Sequence, residues 1–268
     1  MATVALQSAS TGLRALSTQI DVIANNLANV NTTGFCRSRV NFEDLVYQEF
    51  AQPGIKNSAD TVVPSGIFVG LGTRVSNTQT LFEAGSLDST QNQLDVAIDG
   101  QGFFQVKIPP TYGTEIGYTR AGNLSMTADG QLASGDSEGF LLQPPITIPK
   151  DTTNIDIGTD GRVFVTSSSS VSPQQVGQIQ LANFTNPGGL KPIGSTMFIE
   201  TDASGSPVVG NPTTQGFGQV LQNFLEESNV DPTRELVNLI QAQRSFEMNS
   251  QVIQSADQML QVVSNLVK

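Results

Sequence analysis

The chain has 268 residues, enough for one large domain or two smaller ones with a substantial core. Its net charge of −11 excludes a nucleic-acid partner, which needs clustered Lys and Arg, and disfavours an anionic membrane for the same reason. There is no histidine, a single cysteine and only 14% charged residues, so the commonest general base and transition-metal ligand is missing and no internal disulfide can form. No catalytic, cofactor-binding or metal-ligating set is therefore expected. No run approaches the ~18 apolar residues of a membrane span. The opening "MATVALQSAS" lacks the basic-then-apolar pattern of a secretory signal, so the chain is expected to stay in the cytosol or leave without a cleaved signal.

In the first segment, Leu6, Ala9, Leu13, Leu16, Ile20, Ile23, Leu27 and Val30 alternate by three and four residues. That spacing predicts a long helix, roughly 40 Å at 1.5 Å per residue, with a heptad seam. Gly12 inside it costs about 1 kcal/mol relative to alanine. The stripe runs into "ANNLANVNTTGF" at 24–35, crowded with asparagine, a mediocre helix former. The helix is expected to reach residue 33, with Gly34 as a left-handed cap.

Residues 34–80 read as a polar, irregular connector with turns at Pro53, Gly54, Pro64 and Gly66. From 81 to 224 the period becomes two: Leu94, Val96 and Ile98, then Phe104, Val106 and Ile108. Asp-Gly pairs at Asp99, Asp129 and Asp160 sit between strand-like runs and predict hairpin turns. The last segment opens on Asp231 as N-cap and Pro232 at the first helical position. Leu239, Ala242, Phe246, Asn249, Ile253, Ala256, Leu260, Val263 and Val267 again alternate by three and four. Asn249, the one polar member, is the kind of residue that fixes register in such a seam.

The chemistry is bland. Turn formation accounts for the three aspartates better than a glycosidase carboxylate pair does. Gly100 and Gly102 are followed by neither a helix nor Gly-Lys-Ser/Thr, so no phosphate loop is present. Cys36, near Arg37 and Arg39, has no histidine to activate it and reads as a structural thiol. The predicted fold is α+β: residues 1–33 and 225–268 form long terminal helices paired as a coiled-coil-like domain, 34–80 an extended connector, and 81–224 an inserted β-rich domain. Seams this narrow suit helix–helix packing better than a sheet face. Weakly charged outer faces suit a helical array of identical copies, where a repeated charge would accumulate repulsion. In such an array Asn25, Asn26, Asn29 and Asn31 are expected to hydrogen-bond to neighbouring subunits.

"ANNLANVNTTGF" with its preceding heptads resembles the N-terminal signature of the rod and hook proteins of the bacterial flagellum. "FLEESNVDPTRELVNLIQAQRSFEMNSQVIQSADQML" resembles their C-terminal signature. "GSLDSTQNQLDVAIDGQGFFQV", "YTRAGNLSMTADGQL", "LLQPPITIP", "VGQIQLANFTNPGGL", and the connector pieces "FEDLVYQEFAQPG" and "VPSGIFVGLGTRV", are similar to the distal-rod type. Cys36 stands where a basic residue is usual, Phe246 replaces a tyrosine and Gln251 a lysine. None of these departures breaks a heptad.

The resemblance implies a non-enzymatic structural subunit of the basal body. It would be exported by the flagellar apparatus without a cleaved signal and assemble as a homo-oligomeric helical tube across the periplasm. Its partners would be proximal-rod and hook proteins, with periplasmic and outer-membrane ring proteins as a bushing. The terminal helices would line the export channel, the connector would wedge against neighbours, and the tube would pass torque from motor to hook. The expected assembly interface is Leu13, Leu16, Ile20, Ile23, Asn26, Leu27, Asn29, Phe246, Asn249, Ile253, Leu260 and Val263. A proximal-rod protein of similar length is the nearest alternative, and a secreted β-rich carbohydrate-active enzyme a more distant one.

Overall fold

The computed structural model describes residues 2–54, 65–168, 170–214 and 216–266. The chain is mixed α and β, with one long helix at each end and a β-rich middle. It forms two compact units: Met1–Leu27, Ser38–Gln79 and Pro232–Lys268 make the first, Ala28–Arg37 and Thr80–Asp231 the second.

In the first unit, helix α1 spans Ala2–Ala28 and helix α2 spans Pro232–Leu266. α2 opens on Pro232, whose fixed φ and missing N–H suit the first helical turn. α1 ends earlier than expected. Thr32 N–H donates to Asn29 O at 3.2 Å, the Thr32 hydroxyl reaches Asn29 Oδ1 at 3.1 Å, and Phe35 N–H donates to Thr32 O at 3.2 Å. The backbone here closes into turns whose bonds join residues three apart, in place of helical bonds, with the Asn29 and Thr32 side chains bonded to each other across the first. Gly34 does take a left-handed φ of 66°, but beyond the helix end. A Cβ there would lie 2.5 Å from the Ala121 backbone nitrogen, so both conformation and close approach require glycine.

The stretch expected to be irregular carries strands β1 (Ser38–Asp44), β2 (Tyr47–Ala51), β3 (Ile67–Gly70) and β4 (Thr73–Thr80). β1 pairs with β4, and β2 runs antiparallel to β3. Exposed polar pairs cross the first ladder: Arg39 with Gln79, Asn41 with Asn77, and Arg74 with Glu43 at 3.0 Å. With no buried face to enforce alternation, the period-two signal is absent. Residues 55–64, including Pro64, lie outside the described residues.

The second unit has a seven-stranded antiparallel sheet. Its strands run in the order Lys191–Gly194, Met197–Ile199, Ile116–Thr119, Phe103–Lys107, Leu181–Asn183 and Val208–Gly210, with Leu142–Gln143 also on Phe103–Lys107. Adjacent residues of its central strand serve two cores. Phe104 and Val106 join Val96, Ile98, Leu142, Ile179 and Leu181. Phe103 faces Tyr118, Phe184 and Phe198, with Tyr118 and Phe184 stacked edge to face at 4.8 Å.

Two of the three Asp-Gly pairs form hairpins. Asp129-Gly130 joins Leu124–Met126 to Leu132–Ser134, and Asp160-Gly161 joins Thr152–Ile157 to Arg162–Ser167. Asp99-Gly100 does not: Val96–Asp99 pairs with Gln219–Gln222, and the next strand belongs to the large sheet. The turn instead lets two backbones cross, since a Cβ on Gly100 would lie 2.8 Å from Gly218 Cα.

Candidate assembly surface

α1 buries Ala9, Ala15, Ile23 and Asn26, while Leu13, Leu16, Ile20, Leu27 and Asn29 are half-buried. Among the described side chains of α2 the buried ones are Glu235, Ala242 and Ala256, and half-buried Asn249 completes their seven-residue spacing. Ile253 is half-buried, but Phe246 and Leu260 are 37% and 39% exposed. The Val263 side chain and Val267 lie outside the described residues.

A Cβ on Gly12 would lie 3.5 Å from Asn249 Nδ2. Leu16 and Gln19 line one small cavity with Asn238, Gln241, Ala242 and Ser245. Residue numbers fall along α2 as they rise along α1, so the two helices run antiparallel where they meet.

Asn26 is 1% exposed and spends its amide inside the chain: Nδ2 donates to Ser38 O at 2.8 Å, and Ser38 N–H donates to Oδ1 at 2.9 Å. This side chain imitates a strand partner and ties β1 to α1. It does not reach outward to a neighbour, as the asparagine cluster suggested. Thr11 of α1 does similar work for β4, its hydroxyl accepting from Thr73 N–H at 3.3 Å. Around this frame Phe42, Val46, Tyr47, Phe50, Ile67 and Phe68 of the β1–β3 region are exposed. Soluble monomers seldom keep so many large apolar side chains together in water.

In the second unit the segments 34–37 and 226–229 are clasped together. Gly34 N–H donates to Glu226 O at 2.8 Å and Asn229 N–H to Phe35 O at 3.3 Å. Arg37 N–H donates to Asn229 Oδ1 at 2.7 Å, while Asn229 Nδ2 donates to the carbonyls of Leu81 and Glu83, each at 2.9 Å. Beneath lies a buried ion pair: Arg120 Nε meets Glu226 Oε2 at 2.9 Å and Oε1 at 3.1 Å. The same guanidinium donates to the carbonyls of Gly100 and Gly102, at 3.1 and 3.3 Å, and Glu226 accepts from Gly85 N–H at 3.0 Å. Such bonding is what makes a desolvated pair tolerable.

Cys36 is buried beside this pair. Burial pushes its thiol up to about 12; nearby Arg120 lowers it and Glu226 raises it. The thiol is thus neutral and unreactive. A disulfide reagent at pH 8 should leave the folded protein unlabelled and titrate one thiol per chain in denaturant; fast labelling of folded protein would overturn this. The sign for stability follows: an unfolded chain ionises Cys36 near its ordinary 9.0 while the folded chain keeps the proton to about 12, so this group lowers stability as pH rises above 9.

Sequence patterns gave no sign of Arg120, Glu226 or Asn229. Arg120 and Glu226 lie 106 residues apart, and no periodicity links such positions. The one available hint was a lone arginine in the apolar setting of "YTRAG".

The first unit thus sets two antiparallel helices with a small ribbon that bears exposed apolar side chains, the second is a clasped β unit, and sequence comparison supplies the class of protein. The family described as "Flagella basal body rod protein" matches residues 6–35. "Flagellar hook protein FlgE/F/G D1 domain" matches 97–165, and "Flagellar basal body rod FlgEFG protein C-terminal" matches 221–266. The chain is 46% identical over 263 residues to the flagellar basal-body rod protein FlgG of Caulobacter vibrioides, covering 98% of each. It is 44% identical over 265 residues to that of Agrobacterium fabrum, covering 98% of this chain and 99% of the relative. With FlgG of Bacillus subtilis it shares 38% over 264 residues, covering 97% and 98%. The chain belongs to the flagellar basal-body rod protein family.

Proposed function

We propose that the chain is the axial subunit of the distal rod, polymerising helically into the shaft that carries torque from motor to hook and encloses the export channel. Full-length similarity to FlgG relatives supports this over a proximal-rod assignment. The role is structural and not enzymatic. Residues 1–33 with 225–268 act as a coiled-coil assembly domain, 34–80 as the connector and 81–224 as the outer domain. Partners are further copies, proximal-rod and hook proteins, and surrounding ring proteins. Export from the cytoplasm runs through the flagellar apparatus.

The assembly residues are Leu13, Leu16, Ile20, Ile23, Leu27, Asn29, Phe246, Asn249, Ile253, Leu260 and Val263, with Asn26 holding β1 in place behind them. The apolar side chains of β1–β3 meet neighbouring subunits. One observation carries this reading: α2, of 35 residues, buries only Glu235, Ala242 and Ala256 among its described side chains. A helix so little buried is marginal until something else covers it.

Limited proteolysis of the purified monomer should therefore cut residues of α1 and α2 first and leave about 80–231 intact by mass spectrometry. In assembled rods the same sites should be protected. Helices as resistant as the β unit in the monomer would sink the reading.

A further inference from the structure

Away from its buried line, α2 carries two further apolar patches. Leu236, Val237 and Ile240 form the first; Met248, Val252, Met259 and Val262 form the second, and all seven side chains are between 45% and 64% exposed. The patches share a spacing. Leu236 and Ile240 are one helical turn apart, as are Met248 and Val252, and the second pair is the first moved along by twelve residues. Twelve residues on a helix of 3.6 per turn is a rise of about 18 Å and a rotation of about 120°, so the patches differ in both height and direction.

We propose that the first patch of one copy packs on the second patch of the next, with the two α2 helices parallel and shifted by twelve residues. The occupant is a second copy of this chain, and charge supports the match. Glu247 immediately precedes Met248 and Arg234 lies two residues before Leu236, so the shift brings a carboxylate of one copy within a residue's height of a guanidinium of the next. Parallel packing without a shift would instead set Glu247 against Glu247 and Arg234 against Arg234. Two different patches make a heterologous contact, and each added copy presents a fresh patch of each kind. The array stays open. This inference rests on the axial-subunit reading and adds which faces meet and by what displacement.

Cysteine crosslinking in assembled rods tests it. Full-length Ile240→Cys and Val252→Cys chains should each stay monomeric after oxidation, because each patch faces the other kind. The double variant should give a ladder of disulfide-linked multimers on non-reducing gels, since every chain links forward and backward. Leu236→Cys with Met248→Cys provides an independent pair should the first disturb assembly. Dimers from a single variant, or rods of a double variant that run entirely as monomer, would overturn the shifted contact while leaving the axial role standing. A wild-type chain that never polymerises would remove both.

Discussion

Replacing Arg120 by methionine should destabilise the β unit by about 3–5 kcal/mol, read as a fall in the urea midpoint with little change in slope. The arginine is 2% exposed and Glu226 3%, so its loss leaves a buried carboxylate without its cation and carbonyls of Gly100 and Gly102 without this donor. Glu226→Gln should cost less, because the amide still accepts from Gly85 N–H. The double variant Arg120→Met/Glu226→Leu should be more stable than Arg120→Met alone, since an unpaired buried charge costs more than an apolar pair. Equal stability of Arg120→Met and wild type would show that the pair does not hold the unit together.

Ile23→Asp should abolish rod assembly and motility. Ile23 is buried in α1 within a unit that covers little of α2, so an unpaired carboxylate there costs several kcal/mol that the unit cannot absorb. Circular dichroism at 222 nm should fall, while the near-ultraviolet signal of Tyr118, packed on Phe184 in the other unit, should persist. Ile23→Val, which removes one methylene, should cost about 0.5–1.5 kcal/mol and leave cells motile. A motile Ile23→Asp strain would show that the terminal helices are not the assembly element.

The helices were legible because burial on one side of a helix writes itself into spacing. Ala9, Ile23, Ala242 and Ala256 all fall on the stripes read from the sequence. The stripes could not tell which members would be covered. Phe246 and Leu260 share the seam's period yet keep more than a third of their surface exposed, because a period specifies direction and not the presence of a neighbour. The β middle was legible for a similar reason, with Phe104, Val106 and Ile108 alternating into one core. β1–β4 were missed because polar residues such as Asn41, Asn77 and Gln79 pair across their first ladder and no side chain of the four strands is fully buried, so neither face imposes an alternation. The clasp was missed because Gly34, Arg120, Glu226 and Asn229 meet only after the chain has folded, and no local rule links them.

The clasp has a consequence for how such proteins can diversify. The long stretch of the β unit, Thr80–Asp231, has its two ends held side by side, with Asn229 Nδ2 donating to Leu81 O at 2.9 Å. An insert whose two ends coincide can be enlarged, shrunk or exchanged without asking the flanking sequence to span a new gap. The unit behaves as a cassette. A lineage could fit the same terminal helices and ribbon with a different cassette, and a protein engineer could replace residues between 82 and 228 with a foreign domain whose own termini lie together.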